Sequence, residues 1–117
     1  MESQKVPILL NLAAAVLGAL GQYAYKKGGQ RLADTALWAN YQILLGVLLF
    51  CGVMVCFVVG YKLGGRISVV YPFYATTFVW GSLIGLYFEG ETFNWSLALG
   101  VGLIVAGLAV IAKGSAI

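Results

Sequence analysis

Ile43-Leu-Leu-Gly46-Val-Leu-Leu-Phe50-Cys51-Gly52-Val-Met-Val-Cys56-Phe57-Val-Val-Gly60 carries no charge and no amide, hydroxyl or carboxyl side chain. A helix crosses the hydrocarbon core of a bilayer with about 20 mostly apolar residues, so this run, extended to about residues 39–61, reads as one membrane span. Gly46, Gly52 and Gly60 read as points of close helix packing or bending. Cys51 and Cys56 are five positions apart, on different sides of the helix, and the chain has no histidine. They read as small buried hydrophobes and not as a disulfide or metal pair.

The rest of the chain has the same character. Of its 117 residues, 62% are hydrophobic and 9% charged, with a mean hydropathy of +0.94, whereas soluble domains carry about 25% charged residues. An all-α membrane protein is expected, a single domain over residues 1–117. Its four transmembrane helices fall at about 6–25, 39–61, 68–88 and 95–112, with short loops between them. Met1-Glu-Ser-Gln-Lys5 leads straight into the first span without a cleavage-like sequence, so that span is expected to be retained. Trp38 and Tyr41 read as headgroup-level anchors of the second span.

Two spans carry polar faces. In the first, Asn11, Ala14, Ala15, Gly18, Gln22, Tyr25 and Lys26 recur at three-and-four spacing. Polar groups at that depth need a protein partner or a water-filled cavity. The face is either a ligand surface or a packing face on which Asn11 and Gln22 bond to a neighbouring helix. Gly28 and Gly29, after Lys26 and Lys27, are expected to let the chain turn into a linker reaching Thr35. The two lysines are candidates for an anion site or for contact with anionic headgroups. In the third span Tyr71, Tyr74, Thr77 and Gly81 share a face whose hydroxyls can bind an oxyanion or a sugar, with a boundary belt as the alternative for Tyr71. Pro72 lacks an amide donor and is expected to loosen the turn there.

Glu89 and Glu91, between the third and fourth spans, are expected to stay solvated. In the fourth span Gly100 and Gly107 stand seven apart, and Ala98, Gly102 and Ala106 form a small-xxx-small series, the pattern of a helix built to pack on another span or a second subunit. There is no histidine, no acid within a span and no base beside the serines and threonines. An enzyme, a metal site, a cofactor and a nucleic-acid partner are therefore not expected. Lys5, Lys62, Arg66 and Lys113 fall on one side of the bilayer and Lys26, Lys27 and Arg31 on the other, a nearly balanced count. Such a chain can insert both ways and pair antiparallel, or take its orientation from a partner. Four short helices also enclose little volume, so a homodimer, or a heterodimer with a paralogue, is expected.

The runs Gly21-Gln-Tyr-Ala-Tyr-Lys-Lys-Gly-Gly29, Arg66-Ile-Ser-Val-Val-Tyr-Pro-Phe-Tyr-Ala-Thr-Thr-Phe-Val-Trp80, Gly90-Glu91 and Gly100-Val-Gly-Leu-Ile-Val-Ala-Gly-Leu-Ala-Val-Ile111 resemble the drug/metabolite transporter superfamily in its four-helix form. Over nearly its full length the chain is similar to small multidrug resistance proteins and, more closely, to the subunits that flip aminoarabinose-linked undecaprenyl phosphate. The resemblance implies a compact four-helix bundle of the small multidrug resistance type in the bacterial cytoplasmic (inner) membrane. It also implies a substrate-facing role for the polar face of the first span and for Tyr71 and Tyr74. The chain departs from the multidrug pattern at Gly18, which falls where those proteins carry a membrane-embedded glutamate. Proton-coupled export of a cation needs such a carboxylate.

The expected function is therefore transport or flipping of an anionic, lipid-linked small molecule, most concretely a polyprenyl (undecaprenyl) phosphate sugar or the carrier itself. Its phosphate would lie near Lys26, with Lys27 or Arg66 of the same or the facing chain as second cation. Asn11, Gln22, Tyr25, Tyr71, Tyr74 and Thr77 would bind the remaining oxygens. Gly100, Gly102, Ala106 and Gly107 would serve dimer or helix packing. The alternatives are an exporter of small polar or cationic compounds and a non-transporting partner subunit of a membrane complex.

Overall fold

The computed structural model describes residues 3–114, and among them every regular element is helical. Four helical spans are long and apolar enough to cross a membrane. They are α1 (Lys5–Gln30), α2 (Tyr41–Lys62), the composite Ile67–Phe88 and α5 (Trp95–Gly114). The composite consists of α3 (Ile67–Val70), a 3₁₀ segment (Tyr71–Thr76) and α4 (Thr77–Phe88). Pro72 is the reason for the change of winding. Its missing N–H would have bonded one turn back, and the chain tightens there into a 3₁₀ run longer than the usual three or four residues.

α1 runs one turn further than the sequence suggests. Gly28 and Gly29 lie inside it, and the helix ends at Gln30 with Arg31 as its C-cap. Gly28 is a point of close approach and not a turn. A Cβ there would stand 2.9 Å from the backbone nitrogen of Ile43 at the start of α2. Asn40 takes advantage of the narrow gap: its Nδ2 donates to the Gly28 carbonyl at 2.7 Å, while its Oδ1 accepts from Ile43 N at 3.2 Å and caps α2. It is fully buried. The turns that do need a left-handed backbone are at Gly64 (φ 94°) and Gly90 (φ 63°), in the two later loops.

α1 and α2 pack antiparallel, with aromatic rings seated over glycines. Tyr25 lies on Gly46 and Phe50 on Gly21, and the two rings stack at 5.3 Å and 7°. The expected close-packing role of Gly46, Gly52 and Gly60 therefore holds, with Leu17 over Gly52 and Pro7 beside Gly60. At the other end, Gln4 clamps the α2–α3 loop by donating to Gly64 O at 3.1 Å and accepting from Arg66 N at 2.7 Å. Below it Ile8, Val69 and Val70 form a small apolar core, joined by Leu12 and Phe73.

The fold departs from a compact bundle. The Cα extents are 53 × 36 × 16 Å, a plate little more than one helix deep. α5 stands at its edge, packed chiefly on the 3₁₀ segment, and Leu108 is its one buried residue among those described. The expected packing of Gly100, Gly102 and Gly107 is not met among the described residues, where a Cβ added at any of the three would meet nothing within 4 Å, and Ala106 is exposed. The outer faces of α2 and α5 are covered with exposed Leu and Val, such as Leu48, Val55, Leu103 and Val110. Such a surface is compatible with a membrane-spanning helix.

Candidate functional site

The polar faces of α1 and of the composite span meet along an open-sided groove. Its wider part, about 440 Å³, is lined by Gln22 from α1, by Tyr74, Thr77, Phe78 and Ser82, and by Glu91 from the loop beyond α4. A narrower continuation of about 130 Å³ leads past Gly81 and Gly85 to Lys26, Glu89 and Glu91. Three elements position these groups. The 3₁₀ winding carries Tyr74 onto α1, where its hydroxyl rests directly over Gly18. Phe57 of α2 supports it from behind, edge-on at 5.1 Å. A side chain at position 18, a carboxylate included, would have to displace the Tyr74 hydroxyl.

Charge gathers at the mouth. Lys26 Nζ lies 3.2 Å from Glu91 Oε2 and 3.3 Å from Glu89 Oε1, and Lys27 Nζ lies 2.9 Å from Glu89 Oε2. Glu89 is not solvated as expected: its side chain is 10% exposed. The hydrogen bond from Lys27 outweighs the opposing effect of burial and, with Lys26 adding to it, holds its carboxyl below the usual carboxylate range. Glu91 folds back so that its carboxylate covers Gly85, and its amide donates to the Gly85 carbonyl at 3.0 Å. It remains half exposed, as does Lys26. Two lysines and two glutamates thus form a neutral cluster that ties the C-terminal end of α1 to the loop before α5.

Of the residues selected from sequence, Gln22, Lys26, Tyr74 and Thr77 converge on this groove. The others lie elsewhere. Tyr25 is committed to the α1–α2 interface against Phe50. Asn11 is fully buried beside Gly60, where Nδ2 donates to Pro7 O at 3.2 Å and Oδ1 has no hydrogen-bond partner among the described residues. Tyr71 is half exposed on the outside of the 3₁₀ segment, stacked on Tyr74 at 6.5 Å. Arg66 is held by Gln4 at the opposite end of α1, about 33 Å along the helix from Lys26 at 1.5 Å per residue. One copy of the chain does not bring these two cations together.

Ser82 and Glu91 are among the groove residues that went unselected. Ser82, whose hydroxyl donates to the Phe78 carbonyl at 2.7 Å, is one turn beyond Phe78 on the same face and was within reach of the periodicity. Glu91 carries no local signal, because its fold-back depends on Gly85 and on a lysine 65 residues away. No protein-family model, no curated protein and no solved structure matches this chain.

Proposed function

We propose that the chain is a multi-pass protein of the bacterial cytoplasmic membrane, of the four-helix drug/metabolite transporter kind, that moves an anionic lipid-linked small molecule across the bilayer. A polyprenyl (undecaprenyl) phosphate sugar, or the carrier itself, is the most concrete substrate. One observation carries the reading: an open-sided groove between apolar helices holds an amide and three hydroxyls and ends at Lys26. Amides and hydroxyls at such depth serve a polar guest, and the open side lets a prenyl tail remain in lipid. The phosphate would take the place of Glu91 on Lys26, one anion exchanged for another, so the lysine never loses its countercharge. Two copies, joined through Gly100, Gly102, Ala106 and Gly107 of α5, would cover the open side.

In proteoliposomes, Lys26→Ala is expected to slow flipping of an undecaprenyl-phosphate sugar at least tenfold. An unchanged rate removes the phosphate from this position. The groove carboxylate of Glu91 favours a second reading, export of a small cation, in which the loop supplies the acid that the spans lack. Glu91→Gln separates the two: it abolishes substrate-linked proton uptake under the cation reading and leaves lipid flipping intact or faster under the anion reading.

A further inference from the structure

A second groove lies on the other side of α1, against α2, and apart from Tyr23 shares none of the first one's polar lining. It measures about 420 Å³, and its inner part is apolar: Leu20 and Ala24 from α1 face Leu45 and Leu49 from α2. At its outer end the lining changes to Lys27 and Gln42. Arg31 stands immediately beyond, with Nη1 donating to Gln42 Oε1 at 3.2 Å. Tyrosines frame this end on both helices. Lys27 Nζ is 5.6 Å from the ring centre of Tyr23, and the Arg31 guanidinium is 5.4 Å from that of Tyr41. From Leu20 to Arg31, the C-cap of α1, the stripe covers eleven helical steps, about 16 Å.

The electrostatics of this end are unbalanced. Lys27 is paired with Glu89, which uses one of its three donors. Arg31 makes no ion pair among the described residues, and four of its five N–H groups are left after Gln42. A free guanidinium, an ammonium and an amide therefore crown a slot lined by leucine. A guanidinium prefers a planar or tetrahedral oxyanion that it can grip with two donors. The slot below offers nothing polar to a free anion, and the crown offers nothing to a plain hydrocarbon. A molecule with an acyl chain and a phosphodiester satisfies both parts.

We infer that the α1–α2 groove is a binding site for one anionic glycerophospholipid, its acyl chain between Leu20 and Leu49 and its phosphate on Arg31 and Lys27. Basic pockets between membrane helices are suited to anionic headgroups, each cation near the surface contributing on the order of 1 kcal/mol. The inference rests on the membrane location proposed above but not on transport, since this groove and the one holding Tyr74 open on different sides of α1. The bound lipid would wedge the mouth of the α1–α2 hairpin beside the Asn40 contact, so that lipid composition bears on the rigidity of the whole α1 scaffold.

Native mass spectrometry of the full chain tests it, with dioleoyl phosphatidylglycerol and dioleoyl phosphatidylcholine supplied together in equal amounts and no polyprenyl lipid present. The wild type is expected to retain one phosphatidylglycerol at least tenfold more than phosphatidylcholine. Arg31→Gln with Lys27→Gln should bring that ratio close to one, while Arg31→Lys keeps a reduced preference. Leu45→Trp, which fills the slot, should lower retention of both lipids. Lys62→Gln with Arg66→Gln, at the other end of the molecule, should leave the ratio unchanged. Equal retention by the wild type overturns the inference, as does an equal loss from the Lys62 and Arg66 pair, which would mark a general charge effect. Arg31 is exposed, so its substitution is compatible with folding. A flipping assay on Arg31→Gln alone, which leaves the Lys26, Lys27, Glu89 and Glu91 cluster intact, decides transport independently of the lipid ratio.

Discussion

α1–α2 and α5 are both rich in glycine and alanine, yet they use them in opposite ways. In the hairpin the small residues are covered: Tyr25 fills the space over Gly46, Phe50 the space over Gly21, and Ile43 closes on Gly28. In α5 the three glycines of the packing pattern face open space, and the helix is held chiefly by its contact with the 3₁₀ segment. A small residue in a membrane helix is therefore only an opportunity for close approach. What completes it is a bulky partner at the right height on another helix. α1 and α2 carry such partners for each other, and among the described residues no helix carries them for the glycines of α5.

The sharpest way to break this contrast is one substitution made on both sides of it. Gly46→Leu forces a side chain into the Tyr25 ring and is expected to cost about 3 kcal/mol or more, as overpacking does. Gly107→Leu should leave the stability of the single chain within about 0.5 kcal/mol, as at an exposed site. Thermal unfolding in detergent, at a concentration where the chain is monomeric, measures both. Equal destabilisation would mean that α5 has a packed partner after all. Asn40→Ala comes next, since it removes both the cap of α2 and the bond to Gly28. About 1–2 kcal/mol is expected, and a loss no larger than that from Asn94→Ala, which caps α5 through Leu97 N at 2.8 Å, would show that the burial of Asn40 adds nothing.

The smallest expected effect is one of pH. The Glu89 carboxyl is held below its ordinary range by Lys27 and Lys26, so its contribution is present in full above the unfolded carboxylate pKa and fades as pH falls through the lower, folded one. The unfolding temperature of the wild type should drop across that acidic window, and Glu89→Gln should show a flatter profile. Identical slopes for the two would dismiss the cluster as a tie between α1 and the α4–α5 loop.

The spans themselves were legible because twenty apolar residues have few other uses in a chain so poor in charge. Tyr74, Thr77 and Gln22 were legible as well, since a helical period places each on a face that must look inward. What escaped was set by distance along the chain. Gly28 has the local grammar of a helix end, and the contacts it makes inside the helix, with Asn40 and Ile43, lie twelve or more residues later. Glu89 and Glu91 have the grammar of a solvated loop until Lys26 and Lys27 are brought beside them. Asn40 was within reach, as a capping residue directly ahead of an apolar run, whereas nothing local marks Gln4 as a buried clamp. The separation of Arg66 from Lys26 follows from the alternation of spans, which puts the second loop at the end opposite the first.

The 3₁₀ segment has a mechanical side. Six residues wound at about 2.0 Å each are roughly 3 Å longer than the same residues at the α-helical rise. At about 120° per residue against 100°, they are also twisted by a further ~120°. Rewinding Tyr71–Thr76 would thus act as a short screw stroke. Tyr74 would swing off Gly18, and α5, which leans on that segment, would be carried with it, so that one local change of pitch moves the groove floor and the outer helix together.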